Sequence, residues 1–149
     1  MNLAEQMGAG LTGIEQLRAM SAAGRWPGIA STMQFTLVEI EDGRVVFEGT
    51  PGLHLYNPIG MVHGGYAATL LDSACGCAVH TKLSATQAYT TLELKVSYLR
   101  AMTEATGLVR AEGKVIHAGR RAAFSEATLT DAQGKLYATA TSSLLIMER

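Results

Sequence analysis

The chain has 149 residues, 48% of them hydrophobic, and 12 Lys and Arg against 13 Asp and Glu, for a formal net charge of −1. That length suits one domain with a substantial core. The near-balanced charge offers no basic stripe for nucleic acid and no block of like charges for a solvated tail. The first twenty residues hold no basic segment followed by an apolar run, so no secretory signal is expected. The longest apolar segment, around Val62 to Val79, is interrupted by His63, Asp72 and small polar residues, and falls short of a membrane span. The expectation is a cytoplasmic single domain over 1–149, with no membrane partner and with residues 1–30 as an N-terminal helix and connector.

Along the chain, Ile14, Leu17 and Met20 recur at helical spacing within residues 11–23, which predicts a short amphipathic helix. "GRWPGIAS" follows as a turn-rich connector in which Pro27 breaks the helix. "TMQFTLVEI" alternates with Met33, Phe35 and Leu37 on one face, and Asp42-Gly43 joins it to "RVVFEGT" as a hairpin. "PGLHLYNPIG" reads as an irregular loop. From about Val62 to Thr81 the pattern is helical and apolar nearly all round, which predicts a buried helix. Cys75 and Cys77 are i,i+2 on that helix and point in different directions, so they read as reduced core thiols.

The rest of the chain is strand. "YTTLELKVSYL" alternates, with Leu92, Leu94, Val96 and Tyr98 on one face and Thr91, Glu93, Lys95 and Ser97 on the other. "GLVRAEGKVIH" places Val109, Ala111, Val115 and His117 together. "RRAAFSEATLT" and "KLYATATSSLLIM" complete the set, separated by the turn "DAQG". Strands joined by short turns imply an antiparallel sheet. One apolar helix wrapped by one curved sheet is a two-layer α+β solution.

Candidate chemistry collects around the buried helix. Asp72 is the one charged residue between Gly64 and Thr81. A buried, unpaired carboxylate costs several kcal/mol, so the fold neutralises it or the site uses it. Gly64 and Gly65 open the helix. A helix N-terminus presents free N–H groups and a partial positive charge, suited to a phosphate, a carboxylate or the oxyanion of a reacting carbonyl. Tight helix packing explains the two glycines equally simply. Asp72 lies eight residues beyond Gly64, about 12 Å along a helix. One small carbonyl cannot contact both in one chain. If both serve one reaction, the protein is an obligate dimer in which two antiparallel copies of this helix bring each Asp72 near the other chain's Gly64.

His63 reads as a loop cap or a hydrogen-bond donor. Asn57, before Pro58, reads as an Asx turn or a holder of substrate or water. The paired Arg120 and Arg121 in "HAGRR" read as a phosphate contact or a solvated turn. The four histidines and two cysteines form no metal-binding pattern, so no metal and no cofactor is expected. There is no GxSxG nucleophile elbow, and "GAGLTG" lacks the preceding strand of a nucleotide loop.

The stretch "YNPIGMVHGGYAATLLDSACGCAV", with the spacing Asn-x5-His-Gly-Gly-x6-Asp, closely resembles the PaaI-like acyl-CoA thioesterases of the hotdog-fold superfamily. The likeness extends from about Met33 to Ile146. It implies a hotdog fold, in which a long helix is wrapped by five to six antiparallel strands. It also implies a homodimer with sites between subunits, often paired into a homotetramer, and an acyl-CoA substrate whose coenzyme A is part of the substrate. Carried over, the Gly64 N–H polarises the thioester carbonyl, and Asn57 holds that carbonyl or the attacking water. His63 steadies the loop, and Asp72 of the other subunit activates water or attacks directly. Thr91, with Thr90 beside it, matches the hydroxyl residue on the following strand. Gly65, Tyr66, Ser73, Thr69, Leu70 and Tyr89 are expected near the acyl group, and Arg120 and Arg121 near the CoA phosphates. Medium-chain or aromatic acyl groups fit the mixed sizes of these residues. A non-catalytic acyl-CoA-binding protein and an enoyl-thioester hydratase or dehydratase are the competing functions.

Overall fold

A computed structural model describes residues 2–149. Three short helices come first: α1 (Leu3–Gly8), α2 (Gly13–Ala22) and α3 (Gly28–Met33). The hairpin β1 (Phe35–Glu41) and β2 (Arg44–Gly49) follows, and then the long helix α4 (Gly64–His80). Four strands close the chain: β3 (Gln87–Tyr98), β4 (Val109–Ala118), β5 (Ala122–Asp131) and β6 (Leu136–Glu148). They form one six-stranded sheet in the order β1-β2-β4-β5-β6-β3, antiparallel throughout. This is the hotdog architecture, with α4 against one face of the sheet.

The sequence of the sheet explains how a helix lies so close upon it. Gly113 of β4 pairs with Ala127 of β5, which pairs with Ala140 of β6. These three small inward residues form a row beneath α4. The helix answers with Ala67, Ala74 and Ala78, all buried. A Cβ on Gly113 would overlap the Ala74 carbonyl, so the approach requires glycine here. Leu70, Leu71, Cys75 and Val79 fill the remaining space and are fully buried.

Four of the strand pairings contain a register shift, and two of these reposition residues with an expected facing. Leu92 sits in a β-bulge between the pairs Thr91–Leu144 and Glu93–Ser143, and is 63% exposed rather than in the core with Leu94 and Val96. The extra residue reverses the facing of everything before it. Thr91, expected on the outer face, therefore turns toward α4. A second bulge between Val115 and His117 turns His117 outward into solvent.

The N-terminal region holds more helix than its sequence suggests. Pro27 does not merely end a helix; it is the N-cap of α3. Proline's fixed φ suits a helix entrance as well as a helix stop. Met33 consequently belongs to α3 and β1 begins at Phe35, after Gln34 turns left-handed at φ 56°. Helix α2 is docked on the far end of α4. The Gly13 N–H donates to the Leu83 carbonyl at 2.9 Å, and the buried Gln16 Oε1 is 2.9 Å from His80 Nε2. The Gln16 amide group also donates to the Leu11 carbonyl at 3.1 Å.

Burial, with the nearby Arg149 charge adding to it, pushes the His80 pKa down to about 4. The unfolded chain takes up this proton near pH 6.5, so His80's contribution is complete above that pH. It is lost as pH falls toward 4, by about 3 kcal/mol. Urea titrations across that window are expected to show this acid slope in the wild type and a flatter one in His80→Gln. At neutral pH, Gly113→Ala is expected to lower stability by about 3 kcal/mol. Gly28→Ala, whose Cβ would meet no atom within 4 Å, should stay within about 0.5 kcal/mol of wild type.

Candidate active site

The entrance to α4 is built by its preceding loop. Asn57 organises that loop: its Oδ1 accepts from the Ile59 and Met61 N–H groups, each at 3.1 Å, and its own N–H donates to the Met61 carbonyl at 2.7 Å. The Asx-turn reading of Asn57 is thus what the geometry displays, and its side-chain NH2 is left without a partner among the described residues. The Val62 N–H reaches the Met102 carbonyl and the His63 N–H the Leu55 carbonyl, at 2.9 and 2.8 Å. The loop is therefore tied on both sides where the helix begins.

His63 is the N-cap of α4. Its Nδ1 accepts from the Gly65 N–H at 2.8 Å, and its carbonyl accepts from the Tyr66 N–H at 3.0 Å. Two of the first N–H groups are thereby satisfied. The Gly64 N–H has no acceptor among the described residues, and it stands at the positive end of a 17-residue helix. Tyr98, a residue the sequence did not single out for the site, donates its hydroxyl to the Gly64 carbonyl at 2.7 Å and fixes that peptide plane.

Two turns further on, Asp72 meets Thr91. The Thr91 hydroxyl donates to Asp72 Oδ1 at 3.1 Å, a contact that exists because the Leu92 bulge turns Thr91 inward. The second carboxylate oxygen has no hydrogen-bond partner among the described residues. Asp72, Ser73, Tyr89 and Thr91 line one cavity of about 220 Å³. Its apolar wall comes from Leu17 and Met20 of α2, Trp26, and Ile29 and Ala30 of α3, together with Phe35 and Leu37 of β1 and Phe47 of β2. No motif pointed to this wall; its sequence signals were the apolar face of the predicted first helix, with Leu17 and Met20, and a lone tryptophan in a turn-rich connector.

Other expected residues lie elsewhere. Tyr66 is fully buried in the core, its hydroxyl unpartnered and its pKa pushed up to about 12 by burial. Leu70 is core, and the Thr69 hydroxyl bonds back to the Gly65 carbonyl at 2.8 Å. Thr90 is exposed on the side opposite Thr91. Arg120 and Arg121 are exposed in the β4–β5 turn beside a separate cleft with Leu145 and Glu148, and neither has a carboxylate partner among the described residues. Burial pushes the Cys75 and Cys77 thiols up to about 11 and about 12, so neither is a thiolate at neutral pH. Among the described residues, no group of three or more His, Cys, Asp or Glu is placed to hold a metal ion, and no helix is long and apolar enough to cross a membrane.

A carboxylate with one oxygen anchored and one free, facing an apolar cavity, together with a helix N-terminus holding a free N–H, is the equipment of a hydrolase acting on a carbonyl. Comparison with known proteins agrees with that class. Residues 59–138 match the family model of the thioesterase superfamily, and the chain belongs to that family. The 1,4-dihydroxy-2-naphthoyl-CoA hydrolase of Listeria monocytogenes is 26% identical over 109 residues, 73% of this chain and 87% of that protein. A thioesterase family protein from Silicibacter pomeroyi superposes with a TM-score of 0.80 at 25% identity, covering 91% of this chain and 99% of the other. The PaaI protein of the E. coli phenylacetic acid degradation operon has the same fold, with a TM-score of 0.78 at 18% identity over 91% of this chain and 94% of its own.

Proposed function

We propose that the protein hydrolyses the thioester of an acyl-CoA, medium-chain or aromatic, to the free acid and coenzyme A. The observation that carries this reading is the Asp72 carboxylate. One of its oxygens is held by Thr91 and the other is free at the polar edge of an apolar cavity. The acyl group enters the cavity and the thioester carbonyl lies at its edge. The free oxygen of Asp72 takes a proton from water as the water oxygen bonds to the carbonyl carbon. The carbonyl oxygen becomes an oxyanion, stabilised by the Gly64 N–H at the positive end of α4. Collapse breaks the C–S bond, and the proton passes from Asp72 to the departing thiolate. Direct attack by Asp72, with an anhydride then hydrolysed by water, uses the same groups. A thioester is activated enough for one base and one oxyanion donor to suffice.

The helix sets the stoichiometry. Gly64 and Asp72 are about 12 Å apart on one α4, so the donor and the base at one carbonyl come from two copies of the chain. The assembly is therefore a homodimer with two sites, and the resemblance noted above extends this to a homotetramer. Exposed apolar residues along β3, the strand at one edge of the sheet, favour that edge for pairing: Leu92 is 63% and Tyr98 56% exposed. Asn57, with its side-chain NH2 free, is the second donor toward the carbonyl or water, and His63 keeps the helix entrance in place. Arg120 and Arg121, free of carboxylate partners, are the groups for CoA phosphates. The Listeria relative, named for hydrolysis of an aromatic acyl-CoA, supports the substrate class.

Thiol release from short-, medium- and long-chain, phenylacetyl- and hydroxybenzoyl-CoA tests this reading. Wild-type turnover is expected, with Asp72→Asn slower by at least about a hundredfold. Thr91→Val should be slower by about tenfold, through loss of the hydrogen bond that orients the base. Binding of CoA esters with no thiol release across the panel would contradict hydrolysis and favour a binding protein.

A further inference from the structure

The cavity beside Asp72 has a polar edge and an apolar lining, and much of that apolar lining comes from outside the hotdog helix and sheet. Its carboxylate and hydroxyl groups, on Asp72, Ser73, Tyr89 and Thr91, all lie on α4 or β3. The apolar lining comes from Phe35, Leu37 and Phe47 of the sheet and from Leu17, Met20, Trp26, Ile29 and Ala30 of the N-terminal helices and their connector. A thioester whose carbonyl sits at the polar edge must send its acyl group toward the apolar lining. Trp26 is the largest residue of the lining. It is half-buried and packs against the main core. The wall is held in place by the α2 contacts already described, Gly13 to Leu83 and Gln16 to His80.

We propose that the α2–α3 segment is the closed end of the acyl pocket, and that Trp26 is the residue that sets the longest acyl group accepted. This inference rests on the thioesterase reading for its substrate. The space is limited: a cavity of about 150 Å³ holds one benzene ring, and here about 220 Å³ is available. That accommodates a ring with a short spacer or a medium straight chain, and a longer chain meets the indole. Up to that point each added methylene gains binding, and beyond it each added methylene clashes.

Trp26 is the chain's single tryptophan, so its fluorescence reports directly on this end of the pocket. The test titrates the intact protein with non-hydrolysable S-alkyl-CoA thioethers from ethyl to dodecyl. In parallel, calorimetry measures their affinities for the wild type, Trp26→Ala and Ala30→Leu. The wild type should show a saturable emission change with hexyl- or octyl-CoA and little with ethyl-CoA. Trp26→Ala should raise the dodecyl-to-hexyl affinity ratio by at least about tenfold, the scale of a methylene or two in an apolar pocket. Ala30→Leu, which fills the pocket instead, should shift preference toward shorter chains. Emission that ignores alkyl length, or variants that change all affinities alike, would overturn the inference. The ligands are not hydrolysed, so this readout is separate from turnover. A length-dependent response in a protein that releases no thiol would uphold the pocket and defeat hydrolysis. Turnover with a flat response would do the reverse.

Discussion

The structure is organised by the need to cover a helix that is apolar on nearly every side. A surface helix buries one stripe, whereas α4 has ten buried residues among seventeen and must be enclosed. The sheet curves around it, and the row Gly113–Ala127–Ala140 lets the backbone of the helix come close. The N-terminal helices cover a further sector near its C-terminal half. What remains partly open is the sector containing Asp72. The one carboxylate of the helix is thus where the enclosure is incomplete, with a single hydrogen bond from Thr91 and a cavity beside it. The lone charge noted in the sequence is tolerated because it is not fully desolvated.

The same helix gives the site its two ends. Its N-terminus is built by a loop whose polar groups are largely spent on holding shape: the Asn57 carbonyl oxygen on two N–H groups, the His63 ring on Gly65. That expenditure isolates the Gly64 N–H as the donor left over. Tyr98, at the end of β3, holds the next peptide in place through the Gly64 carbonyl. The donor and the carboxylate are too far apart to serve one carbonyl within one chain, so the proposed hydrolysis calls for a second copy.

Much of this was legible in the sequence, for physical reasons that differ by element. The long helix showed because apolar residues all round it have no other interpretation at that length. The hairpin at Asp42-Gly43 showed because the turn demands those residues; Gly43 has φ 78°. The Asx turn at Asn57 followed from its place before proline. The β-bulges did not show, since an inserted residue leaves no mark in composition. Yet the bulge at Leu92 decides that Thr91, and not its neighbours, faces Asp72. Pro27 was ambiguous because the same fixed φ ends one helix and begins another. The N-terminal wall of the cavity was invisible because the family resemblance began only near Met33, and because packing between distant segments is written in neither one.

The central claim is that each site joins Asp72 of one chain to Gly64 of another, and subunit complementation tests it most directly. Gly64→Pro removes the N–H at a helix position where proline is accepted, and Gly64→Ala serves as a control that keeps the N–H. The Pro variant and Asp72→Asn, each inactive alone, would be unfolded together in equal amounts and refolded. In a two-fold dimer, half the assemblies would be mixed, and each of those would hold one intact site, so activity should recover to about a quarter of wild type. No recovery, with mixed dimers demonstrably present, would place both groups of each site in a single chain and contradict the account.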